Sequence, residues 1–180
     1  VQLCSAGFDG INLRLAGELG IPVANNGGAN AIPVAEFAIT LTLSTIRHLT
    51  VAAADTVAGQ WMRPEVDGRD SHELFATTVG IIGAGRIGST VAGMLRGFET
   101  TTLYTDKVRS EKAESFGAVK VELDELLERS DVVTLHTPLD GSTHGLIGES
   151  ELRLMKKTAI LINTCRGPVV QEKALIRALE

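Results

Sequence analysis

Three glycines and one carboxylate give the first indication of chemistry in this sequence. The segment 83–88 reads Gly-Ala-Gly-Arg-Ile-Gly, a G-x-G-x-x-G pattern directly after the apolar run 79–82. The first glycine permits a tight turn, the second lets the backbone approach a diphosphate, and the third allows a helix to pack closely on a strand. The N–H groups that open the following helix favour an anion. The residues predicted to contact a dinucleotide here are Gly83, Gly85, Arg86, Ile87 and Gly88.

Asp106 strengthens this prediction. It lies 18 residues after Gly88, at the end of the strand-like run 101–105. A carboxylate at that place can accept hydrogen bonds from the ribose hydroxyls of NAD. Lys107 and Arg109 could hold the 2′-phosphate of NADP, but the carboxylate would repel it. The sequence therefore favours NAD, and NADP is the less favoured cofactor.

Arg166 is the main candidate for contact with a substrate. It follows the run 159–162, a predicted strand, and α/β folds bind ligands at the carboxyl ends of their parallel strands. A planar guanidinium can hold a carboxylate through two hydrogen bonds. His136 invites a second interpretation as a general base, although an ordinary hydrogen-bonded histidine fits its position equally well.

The elements that must position these residues alternate along the chain. From residue 77 onward, short apolar strands alternate with helices, which predicts a parallel sheet with right-handed crossovers. The fold class is therefore α/β, an incomplete Rossmann doubly wound sheet. The predicted strands are 79–82, 101–105, 119–121, 132–135 and 159–162, and the predicted helices include 87–98, one capped by Ser110, 123–127, and 151–155 capped by Ser150.

The first part of the chain predicts a different arrangement. Its predicted elements are a strand over 1–4, a helix over 13–19 capped by Asn12, an extended run over 21–24, a long helix over 34–59 opened by Pro33, and an exposed connection over 61–74. The middle of the long helix is apolar on nearly every face, which predicts burial between domains or between subunits. We therefore expect a homodimer.

Composition limits the other classes of function. Hydrophobic residues make up 44% of the chain and charged residues 22%, as in ordinary globular proteins. The net charge of −5 provides no basic field for nucleic acid or an anionic membrane. Cys4 and Cys165 have no metal-ligand or redox spacing, so we expect no metal site and a reducing, cytoplasmic location. The longest nearly apolar run, 37–46, is too short to span a bilayer.

Several further segments carry a resemblance that covers essentially the whole chain. They are Ser5-Ala6-Gly7-Phe8-Asp9, Val34-Ala35-Glu36 preceded by Asn30, Leu135-His136-Thr137-Pro138-Leu139 with Thr143 and Gly145-Leu146-Ile147, and Asn163-Thr164-Cys165-Arg166-Gly167. Together with the glycine pattern, and in this order, they resemble the D-isomer-specific 2-hydroxyacid dehydrogenases. That family includes glycerate, phosphoglycerate, D-lactate and formate dehydrogenases.

The resemblance implies an NAD-dependent oxidoreductase that transfers hydride between the nicotinamide and a small anionic D-2-hydroxy acid or 2-oxo acid. It makes Arg166 the catalytic residue that holds the substrate, with Ala6, Gly7 and Asn30 as further substrate contacts. The cofactor contacts that it adds are His136, Thr137, Pro138, Thr143, Thr164 and Cys165. For His136 it implies a structural or cofactor-contact role.

The resemblance also implies three regions. Residues 1–32 correspond to the incomplete end of a flavodoxin-like substrate domain, 33–76 to an interdomain helix and connection, and 77–180 to an NAD-binding Rossmann domain that is incomplete at its C-terminus. The family's mechanism needs a histidine acid/base and a glutamate C-terminal to the Arg166 segment, and the sequence contains neither. We therefore expect a chain truncated at both ends and inactive by itself.

Two alternatives stay open at this point. One is a non-catalytic, NAD-sensing module that resembles the corepressors of the family, and the other is a member that resembles formate dehydrogenase. The retention of Arg166 argues weakly against the first. The residues of a substrate pocket that would identify the hydroxy acid do not occur in this sequence.

Overall fold

A parallel sheet organises the part of the chain that the computed structural model describes, residues 1–5, 7–61 and 71–180. Its strands are β1 (Thr78–Ile82), β2 (Thr101–Thr105), β3 (Val119–Lys120), β4 (Val132–Leu135) and β5 (Ile160–Asn163). They lie in the order β3-β2-β1-β4-β5, and every neighbouring pair is parallel. This arrangement confirms the predicted Rossmann fold, with the reversal of strand order between β1 and β4.

Helices cover both faces of the sheet and precede it. They are α1 (Leu13–Glu18), α2 (Ala31–Ile46), α3 (Leu49–Val57), α4 (Arg86–Leu95), α5 (Glu111–Ser115), α6 (Leu123–Arg129), α7 (Glu149–Leu154) and α8 (Glu172–Leu179). Short 3-10 turns follow at 96–98 and 167–169. As predicted, the side chain of Asn12 caps α1 and that of Ser110 caps α5.

The core is divided between the two faces of the sheet. On one face Ile81 packs with α2 and α4, and on the other Leu135 packs with α6. All four residues of β4 are buried, as are the last four of β1. Strands that are covered on both faces read as continuous apolar runs, which is why the sequence predicted them well.

The register of the sheet sets the position of every segment that follows a strand. Ile82 pairs with Thr105 on one side and with Leu135 on the other, and Leu135 pairs with Asn163. The last residues of β1, β2, β4 and β5 therefore form one row across the sheet. The glycine pattern, Asp106, His136 and the Arg166 segment all begin directly after that row.

The prediction of a single helix over 34–59 is wrong. The structure contains two helices, α2 and α3, bent by 63° at a break where His48 has a left-handed backbone with φ of 48°. Few residues other than glycine adopt that conformation, so the sequence gives no signal for the break. Within the described residues no single helix is both long enough and apolar enough to cross a membrane. Only the bent pair α2 and α3, taken together, has the required length and hydropathy.

The expected burial of the long helix is only partly observed. One face of α2 is buried through Ala35, Ala38 and Ile46. On the same helix, Ile32 is 60% exposed and Phe37 is 55% exposed. The helix is thus half-buried within this chain, and a partner on its other face stays a prediction.

Two smaller predictions also need correction. The strand over 1–4 is reduced to an isolated bridge between Gln2 and Ala24. Helix α7 begins at Glu149 and is not capped by Ser150, because the Glu151 carboxylate reaches back and accepts a hydrogen bond from the Gly148 N–H at 2.9 Å. Of the predicted exposed connection over 61–74, residues 62–70 lie outside the described residues.

Candidate active site

The glycine pattern forms a tight turn between β1 and α4. Gly83 has φ of +92°, and a Cβ there would lie 2.9 Å from the backbone of His136. At Gly88 a Cβ would lie 2.0 Å from the carbonyl oxygen of Gly83, so only glycine allows α4 to approach β1 so closely. Gly85, in contrast, is exposed and faces open space, with no atom within 4 Å of a Cβ placed there. The turn is therefore closed on the protein side and open on the outside.

The loop after β2 is tied to this turn at two points. The Asp106 carboxylate accepts a hydrogen bond from the Ala84 N–H at 2.8 Å, and the Ser110 hydroxyl donates to the Ala84 carbonyl at 2.7 Å. Asp106 stays half-exposed, and its other oxygen accepts only a long bond of 3.3 Å from the Val108 N–H. A carboxylate held in this way has lone pairs left for the hydroxyls of a ribose.

His136 lies at the end of β4 between two threonine hydroxyls. Its Nε2 is 2.9 Å from the Thr134 hydroxyl, and its Nδ1 is 3.4 Å from the Thr164 hydroxyl. Burial lowers the pKa of His136 from 6.5 to about 4, because a buried site disfavours the charged imidazolium. The ring is therefore neutral at neutral pH and lacks the additional proton that an imidazolium acid donates.

In the segment after His136, one threonine hydroxyl lacks a hydrogen bond and another holds the loop. Thr137 carries the only side-chain oxygen or nitrogen, among the described residues, that is fully buried and has no hydrogen-bond partner. The hydroxyl of Thr143 donates to the Pro138 carbonyl at 2.6 Å and accepts from the Asp140 N–H at 2.8 Å. Thr143 therefore holds the loop, while the Thr137 hydroxyl lacks a partner among the residues that the structure describes.

Arg166 lies where the Rossmann sheet meets the N-terminal segment. Its Nε donates to the Asp9 carboxylate at 3.0 Å, and one Nη donates to the Cys165 carbonyl at 2.8 Å. The other Nη lies so close to Gly7 that a Cβ on that glycine would be only 1.6 Å away. The backbone N–H of Asp9 and the Arg166 guanidinium together hold the pKa of the Asp9 carboxyl below its usual value.

Asp9 and Asn163 stand inside the segments that carried the resemblance, but sequence reasoning gave them no role. The Asn163 side chain accepts from the Cys165 N–H at 3.0 Å and from its thiol at 3.1 Å, and it donates to the Arg166 carbonyl at 2.9 Å. It therefore fixes the backbone that carries Arg166. The pairing of Asp9 with Arg166 joins residues 157 positions apart, which no local pattern can reveal.

A shallow cavity of about 310 Å³ opens between the glycine turn and the start of α2. The Arg86 side chain crosses beside it and donates a hydrogen bond to the Gly27 carbonyl. The predicted site residues on its wall are Asn30, Arg86, Ile87 and His136. Ala6, predicted as a substrate contact, lies outside the described residues. A larger cavity of about 1700 Å³ runs along β5 and α8 and contains none of the predicted site residues.

These features fit a bound dinucleotide. The open side of Gly85 leaves room for a diphosphate against the first N–H groups of α4, which have no partners inside the helix. A buried hydroxyl without a hydrogen bond costs about 1–3 kcal/mol, and the Thr137 hydroxyl, which has no partner among the described residues, fits a polar group of a bound cofactor. Within the described residues, no cluster of three histidine, cysteine or acidic side chains could hold a metal ion. The fold and this site define a dinucleotide-binding Rossmann domain.

Comparison with known proteins identifies the family. The model of the D-isomer-specific 2-hydroxyacid dehydrogenase NAD-binding domain matches residues 39–180. A glyoxylate reductase of Korarchaeum cryptofilum is 40% identical over 180 residues, which cover 98% of this chain and 54% of that protein. The chain belongs to the D-isomer-specific 2-hydroxyacid dehydrogenase family and contains its NAD-binding domain. It spans about half the length of the curated relatives it matches.

Solved structures agree with this assignment. The D-lactate dehydrogenase of Aquifex aeolicus, in complex with NAD and lactic acid, superimposes with a TM-score of 0.91 at 36% identity, over 99% of this chain and 53% of that one. A formate dehydrogenase from Granulicella gives a TM-score of 0.90 at 30% identity, over 99% of this chain and 48% of that one. The fold is thus shared across members with different substrates.

Proposed function

We propose that the protein is an NAD-dependent dehydrogenase that interconverts a small 2-oxo acid and the corresponding D-2-hydroxy acid. The observation that carries the proposal is the position of Arg166, which lies against Gly7 at the same edge of the sheet as the glycine turn. The similar proteins named as glyoxylate reductase and D-lactate dehydrogenase support the substrate class. The position of Arg166 also favours a catalytic member over a non-catalytic NAD-sensing module.

Arg166 supplies the charge that the reaction needs. Two of its donors are directed to Asp9 and Cys165, which fixes the guanidinium plane and leaves the remaining N–H groups for the carboxylate and carbonyl of a 2-oxo acid. When bound, NADH supplies the hydride. Negative charge then grows on the carbonyl oxygen, and a fixed guanidinium beside it stabilises that charge. Gly7 and Asn30, with Ala6, are the further proposed substrate contacts.

A proton donor for the product oxygen is the remaining requirement. His136 is neutral at neutral pH and bonded to hydroxyls on both ring nitrogens, so we do not assign it this role. Loss of a general acid typically slows a reaction by about 10²–10⁴-fold. We therefore expect residues 1–180 by themselves to bind NADH but to reduce 2-oxo acids at least about 10²-fold more slowly than the full-length protein.

The test is NADH oxidation by the full-length protein with glyoxylate, hydroxypyruvate and pyruvate. Arg166→Lys keeps the charge but loses the two-pronged geometry, so kcat/KM should fall by about 10²-fold or more while NADH affinity is unchanged. Arg153→Lys is the control and should be silent, because Arg153 is in an exposed pair with Glu149 and does not line the cavity beside the glycine turn. NADH binding without oxidation by any of the three acids would favour the non-catalytic module instead.

Two further parts of the proposal concern the whole protein. We propose a homodimer that uses the exposed face of α2, because Ile32 and Phe37 leave apolar surface there. The cytoplasmic location expected from the two separated cysteines is also retained as a proposal. The small anionic acid is the proposed partner, and the proposal includes no nucleic acid or membrane.

A further inference from the structure

Two cations lie in the loop that follows Asp106, the carboxylate proposed to bind the adenosine ribose. The loop 106–110 is anchored to Ala84 at both ends, through Asp106 at 2.8 Å and Ser110 at 2.7 Å. Lys107 and Arg109 are therefore held beside the place where the adenosine ribose is expected. Cations in this position are the groups that would hold the extra 2′-phosphate of NADP.

Arg109 is already occupied by a carboxylate of the same domain. Its Nε donates to both oxygens of Glu114, at 2.9 and 2.7 Å, and its Nη2 is 2.6 Å from one of them. The Tyr104 hydroxyl donates to the same carboxylate at 2.8 Å, and Tyr104 is fully buried in β2. Glu114 thus has a fixed position, and Arg109 is turned towards it.

The neighbours of Glu114 stabilise its charged form. The Arg109 guanidinium and the Tyr104 hydroxyl hold the pKa of Glu114 below its usual value, so the carboxylate stays charged. Lys107 is engaged as well, since its Nζ donates to the Ser142 hydroxyl at 2.6 Å. Lys107 keeps its charge because the Ser142 hydroxyl is neutral, so Arg109 is the cation of this loop whose charge is matched by a carboxylate.

We propose that Glu114 is a cofactor-specificity residue, which favours NAD over NADP by holding Arg109 away from the 2′-phosphate position. This inference rests on the NAD-binding role of the glycine turn and goes beyond it. A phosphate would have to compete with the Glu114 carboxylate for the Nε and Nη2 of Arg109, whereas the ribose hydroxyls of NAD need only Asp106. Glu114 acts through Arg109 and does not touch the cofactor itself.

The experiment is a double-mutant cycle on the full-length protein, with NAD and NADP affinities measured by titration calorimetry. Glu114→Gln keeps an acceptor for the Tyr104 hydroxyl but frees the charge of Arg109. We expect it to tighten NADP binding by about tenfold and to leave NAD binding within about twofold. Adding Arg109→Gln should abolish that gain. The same cycle in an Asp106→Ser background removes the repulsion and makes weak NADP binding measurable.

Glu111→Gln is the matched control, because Glu111 lies on the same helix and acts on Arg109 only through its charge, without a hydrogen bond. Unchanged NADP affinity in Glu114→Gln would overturn the proposal, and so would a gain that survives Arg109→Gln or that Glu111→Gln reproduces. In each of those cases NAD would still bind. Failure of the wild type to bind NAD would instead overturn the cofactor role on which the proposal rests.

Discussion

At the scale of single residues, chemistry at this site depends on the groups beside each side chain. Arg166 and His136 both follow strand ends of the same sheet, but their surroundings differ. Arg166 meets the Asp9 carboxylate and stays a fixed cation, whereas His136 meets two hydroxyls and becomes neutral through burial. A histidine beside a glycine turn therefore does not by itself indicate a general acid.

The lowered pKa of His136 gives a testable pH dependence. Between pH 6.5 and about 4 the unfolded state binds a proton at this residue and the folded state does not. The free energy of unfolding should therefore fall as pH drops through this range, by up to about 3 kcal/mol. His136→Gln should remove this part of the dependence. Urea unfolding at several pH values, compared between wild type and variant, measures the difference.

The control for this experiment is His144→Gln, an exposed histidine in the following loop. It should leave the wild-type dependence intact. A histidine ring resonance of residue 136 that titrates near pH 6.5 in NMR spectra would contradict the expectation directly.

At the scale of elements, the sequence predicted the strands and helix starts that depend on local patterns. Buried parallel strands read as apolar runs, and caps such as Asn12 and Ser110 mark helix starts, so most of the Rossmann order was correct. The break between α2 and α3 was missed because it depends on the backbone of His48, where no glycine or proline signals a bend. The partner of Arg166 was missed because Asp9 lies 157 positions away and meets it only in the folded chain. The partner of Arg109 is only five positions away, but Arg109 lies in the loop before α5, where no helix periodicity predicts the pair.

Two glycines of the glycine turn have different roles, which the sequence pattern alone does not distinguish. Gly88 allows close packing of α4 on β1, and Gly85 leaves space for the cofactor. Gly88→Ala would bring a Cβ to 2.0 Å from the Gly83 carbonyl, so β1 and α4 must move apart. We expect a loss of about 2 kcal/mol or more in unfolding free energy. Gly85→Ala meets no atom within 4 Å, so stability should be nearly unchanged while the added methyl obstructs the cofactor.

Thermal unfolding and NADH titration of Gly88→Ala and Gly85→Ala test these two roles. Each variant is the control for the other, since both add one methyl group to the same turn. Equal losses of stability would contradict the assignment, and so would undiminished NADH affinity in Gly85→Ala.

At the scale of the whole molecule, the site is assembled from distant parts of the chain. Asp9 and Gly7 come from the N-terminal segment, and Arg166 comes from the end of the sheet. Asn30 lies at the start of α2, the helix that packs on the Rossmann domain through its Ala35 face. The position of α2 therefore bears on the geometry of the cleft, and anything that fixes α2 should also support the site.

We expect a second subunit to pack on α2 and hold this helix in position. Among the described residues of α2, Ile32 is 60% and Phe37 is 55% exposed, although the opposite face is buried. Burying apolar surface contributes about 25 cal/mol per Å², and an isologous dimer buries the same patch on both subunits. We expect the full-length protein to be a homodimer by light scattering, and Phe37→Glu to shift it to monomer. Val119→Glu, which also places a carboxylate at a 55%-exposed apolar site but on the edge strand β3, is the control and should stay dimeric. A monomeric wild type would contradict the dimer, and a dimer that survives Phe37→Glu would place the interface elsewhere.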